Sequence, residues 1–177
     1  PTRRSSDLGS ICYGLFHRWC ILSNQEKLFR EDFSIQDVVQ TLPVYTTTGV
    51  SEKRAILSVK TSDHVLLKSK YQEEFLHQWI LQKDGFFKKN GIFSLRAFCN
   101  NGTTQTDDIM DFSISGRGGL KIQFYNEMNY PVAFIWMRGS GTEPVFRVMC
   151  DVKGDNPELE KILLDWHTSI IKKADRF

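Results

Sequence analysis

The densest grouping of reactive side chains in the sequence is Met137-Arg138-Gly139-Ser140-Gly141-Thr142-Glu143-Pro144-Val145-Phe146-Arg147. It sets a guanidinium, two hydroxyls and two glycines in close succession between runs that read as strands. Such a turn can hold an oxyanion. Arg138 can make two parallel charge-assisted hydrogen bonds to a phosphate, and Ser140 and Thr142 can donate hydroxyl bonds. Gly141 lets backbone N–H groups approach closely. The plain structural alternative is a hairpin connection, with the glycines at positive φ and Arg138 paired to Glu143 or a nearby carboxylate. Arg147 fits a structural salt bridge as well as a ligand contact.

The elements around this stretch must bring it to a surface. From Leu95 onward short β-like runs are divided by Gly and Asn: Leu95 to Cys99, Ile109 to Ile114, Leu120 to Tyr125, Val132 to Met137 and Val145 to Val152. Their spacing predicts an antiparallel sheet. Asp63 is placed to cap a helix carrying Leu66, Leu67, Tyr71, Phe75, Leu76, Trp79 and Ile80 as core, with the pattern ended by Gly85; Lys83 to Asn90 is polar or basic except for Gly85, Phe86 and Phe87, and Lys88 and Lys89 read as a solvated turn. Pro157 starts a C-terminal helix with Glu158 and Glu160 in its first turn and Lys172 and Lys173 in its last, complementing the helix dipole. Leu159, Ile162, Leu163, Trp166 and Ile170 would face the sheet. Arg54 to Lys60 alternates loosely as a strand, and Asn101-Gly102-Thr103 reads as a turn. The class expected is α+β, an antiparallel sheet with helices on one face.

Upstream, Ile11, Leu15, Trp19 and Leu22 form a helical stripe, and Ser34 stands as N-cap for a short helix from about Ile35 to Gln40, stopped by Pro43. Thr46-Thr47-Thr48-Gly49 reads as a loop or linker and the candidate domain boundary. Residues 1–8, Pro-Thr-Arg-Arg-Ser-Ser-Asp-Leu, resemble the conceptual translation of a sequencing adapter and are set aside as a processing scar. The expected organisation is therefore 9–45 as the tail of a truncated upstream α/β domain and 46–177 as a C-terminal phosphate-binding domain.

Arg-x-Ser-Gly-Thr-Glu-Pro, followed after two residues by Arg147, is similar to the phosphate-binding signature in the last domain of the α-D-phosphohexomutases, the phosphoglucomutase and phosphomannomutase family. Gly119-Leu120-Lys121-Ile122 and Ile135-Trp136-Met137-Arg138 resemble the strand pair that leads into that loop. The acidic helix after Pro157 resembles the closing helix, and Ser34 to Tyr45 the exit from the third domain. The resemblance implies a TBP-like terminal domain preceded by a short helical remnant of an upstream domain. It implies a four-domain parent enzyme interconverting hexose 1- and 6-phosphates through a bisphosphate, an intramolecular phosphotransferase of the isomerase class. Arg138, Ser140, Gly141 and Thr142 would bind the phosphate that is not being transferred, with Glu143 and Arg147 in support. The family's phosphoserine and its aspartate-held Mg2+ would lie upstream, because no Thr-Ala-Ser-His-like segment, Asp-x-Asp-x-Asp cluster or Glu-x-x-Ser-Gly segment occurs here. No catalytic and no metal residue is expected in this chain, which alone would be inactive. Gly139 stands where the family commonly has proline, which implies a more flexible loop before ligand binds.

Bulk properties fit a folded domain. In 177 residues, 41% are hydrophobic and 25% charged, which favours neither disorder nor a fibrous class. A net charge of +2 is a poor electrostatic footprint for nucleic acid, so none is expected as partner. The non-catalytic alternative is a stand-alone phosphate or nucleic-acid binding module, with Lys83, Lys88, Lys89 and the phenylalanines supplying contacts. Cys12, Cys20, Cys99 and Cys150 are too scattered for a zinc site and read as free thiols of a cytoplasmic protein. His17, His64, His77 and His167 form no motif. His17 and Arg18 interrupt the apolar run from Ile11 to Leu22, so neither a signal nor a membrane span is read there. The expected partners are a phosphosugar and the enzyme's own upstream domains.

Overall fold

The computed structural model describes residues 35–40, 42–140 and 145–176. The helical stripe from Ile11, the Ser34 cap and the adapter-like octapeptide all lie outside them, as do Cys12, Cys20 and His17. The chain divides into two units, Pro1–Pro43 and Val44–Phe177. In the first, helix α1 spans Ile35–Gln40.

The second unit is α+β. Seven antiparallel strands make one sheet: β1 (Tyr45–Thr47), β2 (Ile56–Ser58), β3 (Ser94–Asn101), β4 (Thr104–Thr106), β5 (Gly119–Tyr125), β6 (Pro131–Gly139) and β7 (Val145–Lys153). Their order is β1-β7-β6-β5-β3-β4, with β2 also paired to β7. Two long helices, α2 (His64–Gln82) and α3 (Pro157–Ala174), complete it. Strand alternation decides the two sides of the sheet. Cys99, Leu120, Met137 and Val148 share one register row, and Ala97, Ile122, Ile135 and Cys150 the next. All eight are buried, in one core cluster with Leu67, Tyr71 and Phe75 of α2 and Leu163, Leu164 and Ile170 of α3. The opposite face carries Arg96, Phe98, Lys121, Phe134, Trp136, Arg138, Arg147 and Met149, all half-buried or exposed.

The helix starts behave as capping chemistry requires. Asp63 accepts hydrogen bonds from the Val65 and Leu66 N–H groups, and Asn156 accepts from Leu159 N–H ahead of Pro157. Which side chains each helix buries differs from the sequence expectation. Leu67, Tyr71, Phe75 and Trp79 are core, whereas Leu66, Leu76 and Ile80 face outward, Ile80 with 72% of its surface exposed. On α3, Ile162 faces out and Leu164 takes its place in the core. A stripe of apolar residues wider than the contact leaves its margins wet, and only packing reveals which margin.

Three local expectations are overturned. Gly85 does not end α2: the chain passes through a wide π turn, Lys83–Phe87, and stays helical to Lys89. The extra residue in that turn lets Phe87, fully buried, meet Trp79, Phe124 and Trp166. Ile109 to Ile114 is not a strand. Ile109 and Phe112 are buried from a loop and a 3-10 turn, Phe112–Ser115, capped by Asp111. Gln72 fixes it by donating to Met110 O and accepting from Phe112 N–H. Thr46 to Thr48 is no free linker either. Tyr45–Thr47 pairs with β7, and Thr48, fully buried, donates its hydroxyl to Glu160 and accepts from Cys150 N–H. Asn101–Thr104 is the tight turn between β3 and β4.

Candidate functional site

Strand β6 ends at Gly139 and β7 begins at Val145, and Ser140 N–H donates to Val145 O at 2.9 Å to close the hairpin. Gly141, Thr142 and Glu143 lie outside the described residues. Arg138, Ser140 and Arg147 are within them. Arg138 and Arg147 are direct cross-strand partners, so both project from the open face of the sheet, and both are exposed. Two guanidinium groups directly opposite each other repel. Among the described residues no carboxylate forms an ion pair with either. The nearest polar contact of Arg147 is long, 3.4 Å from its Nη1 to Val50 O. Arg147 also borders an open cleft of about 350 Å3, walled by Val50, Ala55, Trp136, Val148 and Met149.

On the covered side the hairpin rests on His64, the first residue of α2. The imidazole lies edge-on to Phe146, ring centroids 4.9 Å apart. Gly139 is pressed against it so closely that a Cβ there would collide with Cε1 and Nδ1 of the ring. The glycine is therefore dictated by a neighbour. His64 is only 7% exposed, and its Nδ1 has no hydrogen-bond partner among the described residues. Burial lowers its pKa, and the charges of Lys68 and Arg117 lower it further against a smaller opposing effect of Asp63.

One turn further along α2, Lys68 is completely buried. Its Nζ donates to Ser115 Oγ, Gly116 O and Gly118 O, each at 2.8 Å, which uses all three of its protons. Burial pushes its pKa down to about 8. These bonds fasten the turn Ser115-Gly116-Arg117-Gly118, in which Gly116 takes φ +46°, a value that favours glycine. Arg117, at its crest, is exposed. The turn leads directly into Gly119, the register partner of Arg138. The sequence reading did not single out Lys68 or Arg117. The signal that could have found them is an arginine framed by glycines immediately before a strand.

The gathered groups can bind and orient an anion by charge and hydrogen bonding. Cys99 and Cys150 are buried free thiols, and burial raises the Cys150 thiol pKa far above its usual range. His167 is a buried core residue, its Nδ1 2.8 Å from Tyr71 Oη, while His77 is exposed. Among the described residues no group of three or more His, Cys, Asp or Glu side chains could hold a metal ion. Among them also, no helix is long and apolar enough to cross a membrane. No family model matches the chain. No curated protein matches it either.

Proposed function

We propose that this chain is the terminal domain of a phosphohexomutase, holding the phosphate of a hexose phosphate that is not being transferred. The observation that carries the reading is the pair of arginines, Arg138 and Arg147, side by side on the open face at the mouth of the Arg-Gly-Ser-Gly-Thr-Glu-Pro hairpin. Their mutual repulsion is relieved when a dianion sits between them, and Arg138 can grip it through two parallel bonds. The role is positioning. A phosphate anchored here lets the sugar turn end for end while a distant group performs the transfer. The apolar walls of the neighbouring cleft, Trp136 and Met149, give the carbon skeleton a surface to lie against. On this reading Gly141 and Thr142 add backbone and hydroxyl donors, Glu143 supports the loop, and the domain is the TBP-like one of that family. The phosphoserine and Mg2+ belong to upstream residues, so that the parent is the isomerase, working in the cytoplasm.

The nucleic-acid reading draws on Lys83, Lys88 and Lys89, exposed at the end of α2, and on phenylalanines, of which Phe98 and Phe134 lie on the open face of the sheet with Tyr125 nearby. Those rings are already covered: Lys121 Nζ stands 4.8 Å from the centroid of Phe134 and 5.6 Å from that of Phe98, and Arg96 lies 5.2 Å over Tyr125. Stacking of bases would have to displace these cations.

Titration of the full chain with glucose 1-phosphate, followed by backbone amide chemical shifts, tests the proposal. Shifts concentrated at Arg138, Ser140 and Arg147 are expected at millimolar ligand. A folded chain whose spectrum does not respond overturns it. Retention on single-stranded oligonucleotide that falls steeply with salt would favour the nucleic-acid reading instead.

A further inference from the structure

Lys68 is an expensive way to hold a turn, since burying an ammonium without a carboxylate is unfavourable unless every proton finds an acceptor. All three do, and all three acceptors belong to the residues on either side of Arg117. The clamp therefore fixes the backbone beneath one exposed guanidinium. Arg117 has no ion-pair partner among the described residues. Its place relative to the hairpin is set by strand pairing: Gly119, two residues on, is the register partner of Arg138, which in turn is paired with Arg147. Arginines from three neighbouring segments, the turn before β5, the end of β6 and the start of β7, thus collect at one end of the sheet.

We infer that Arg117 is a third cation of the anion site, presented beside Arg138 by the Lys68-clamped turn, and that it selects a dianionic phosphate monoester over singly charged anions. The inference rests on the anion-binding reading of Arg138 and Ser140. Coulomb energy scales with the charge of the ligand, so removing one cation costs a dianion the square of the factor it costs a monoanion.

The experiment compares methyl phosphate, doubly charged at pH 8, with dimethyl phosphate, singly charged, on the full chain. Affinities of wild type, Arg117→Gln, Arg117→Lys and Arg138→Gln are read from amide shifts, with thermal melting as the check on folding. Arg117→Gln is expected to weaken methyl phosphate about tenfold and dimethyl phosphate about threefold, with melting unchanged and most of the loss restored in Arg117→Lys. Equal losses for the two ligands would overturn the selection. Wild-type binding in Arg117→Gln alongside loss in Arg138→Gln would overturn the role of Arg117 and leave the phosphate loop standing. If the wild type binds neither ligand, the anion-binding reading falls, and the inference falls with it.

Discussion

Two buried charges in this domain are handled in opposite ways. Glu160, 1% exposed, sits where α3 meets β1, with its carboxylate shared between the Thr48 hydroxyl and Arg54 Nη1, the latter at 2.7 Å. Lys68, under the turn before β5, is surrounded by neutral oxygens only. The first cluster is closed: the charge is matched, and Glu52 reinforces Arg54 at 2.5 Å from the other side. The second leaves its charge unmatched, and the turn it clamps carries the exposed Arg117. The first joins two elements through a matched charge, whereas the second uses a buried charge and three neutral acceptors to hold one turn in place.

Breaking the closed cluster is expected to have the largest effect. Glu160→Ala leaves Thr48 and Arg54 without their acceptor and should lower unfolding free energy by about 3 kcal/mol, at the lower end for such pairs because Arg54 can reach water. Urea unfolding measures it.

Acid probes the uncompensated bases. His167, its Nδ1 2.8 Å from Tyr71 Oη, is held neutral by burial, its pKa pushed down to about 3, and that of His64 is lowered as well. The unfolded chain therefore takes up protons first as pH falls below about 6.5. Stability is fully present above that pH and should decline below it by about 1.4 kcal/mol per unit for each histidine affected, down to about pH 3 for His167. The slope of stability against pH between 6.5 and 5 should flatten in His167→Gln, and an unchanged slope would contradict the assignment.

At the hairpin, Gly139→Ala drives a methyl group into His64 and should cost about 1.5 kcal/mol. His64→Ala in the same chain should recover most of that loss, giving a coupling energy of about 1 kcal/mol in a double-mutant cycle. Additive effects would mean that the ring and the glycine do not meet. The smallest effect separates stability from binding. Arg138→Gln removes the repulsion with Arg147 and should raise stability by a few tenths of a kcal/mol, on the order of 0.3, while weakening glucose 1-phosphate binding.

Much of the frame was legible from pattern alone. Alternation located β5, β6 and β7, and Asp63 and Pro157 marked helix starts, because caps and strand alternation are local properties of a few neighbouring residues. The segments misread were those whose partner is remote. Thr48 reads as linker until Glu160, 112 residues away in sequence, accepts its hydroxyl. Ile109 to Ile114 has the composition of a strand, but Gln72 supplies the hydrogen bonds that a ladder would have given. Gly85 read as the end of the helix and Lys88 and Lys89 as a turn, but Phe87 packs with Trp79, Phe124 and Trp166 through a π turn that carries the helix on to Lys89.

The same division runs through the site. The sequence by itself determined that one hairpin turn carries a guanidinium, hydroxyls and glycines, since hydrogen-bonding capacity belongs to residue types in a row. Only the tertiary structure decided that Arg138 stands opposite Arg147, that Gly139 yields its space to His64, and that Lys68 clamps the turn carrying Arg117. Register and burial are set by strands and helices far apart in the chain, and the electrostatic field at the sheet end is the sum of charges brought together only when they pack.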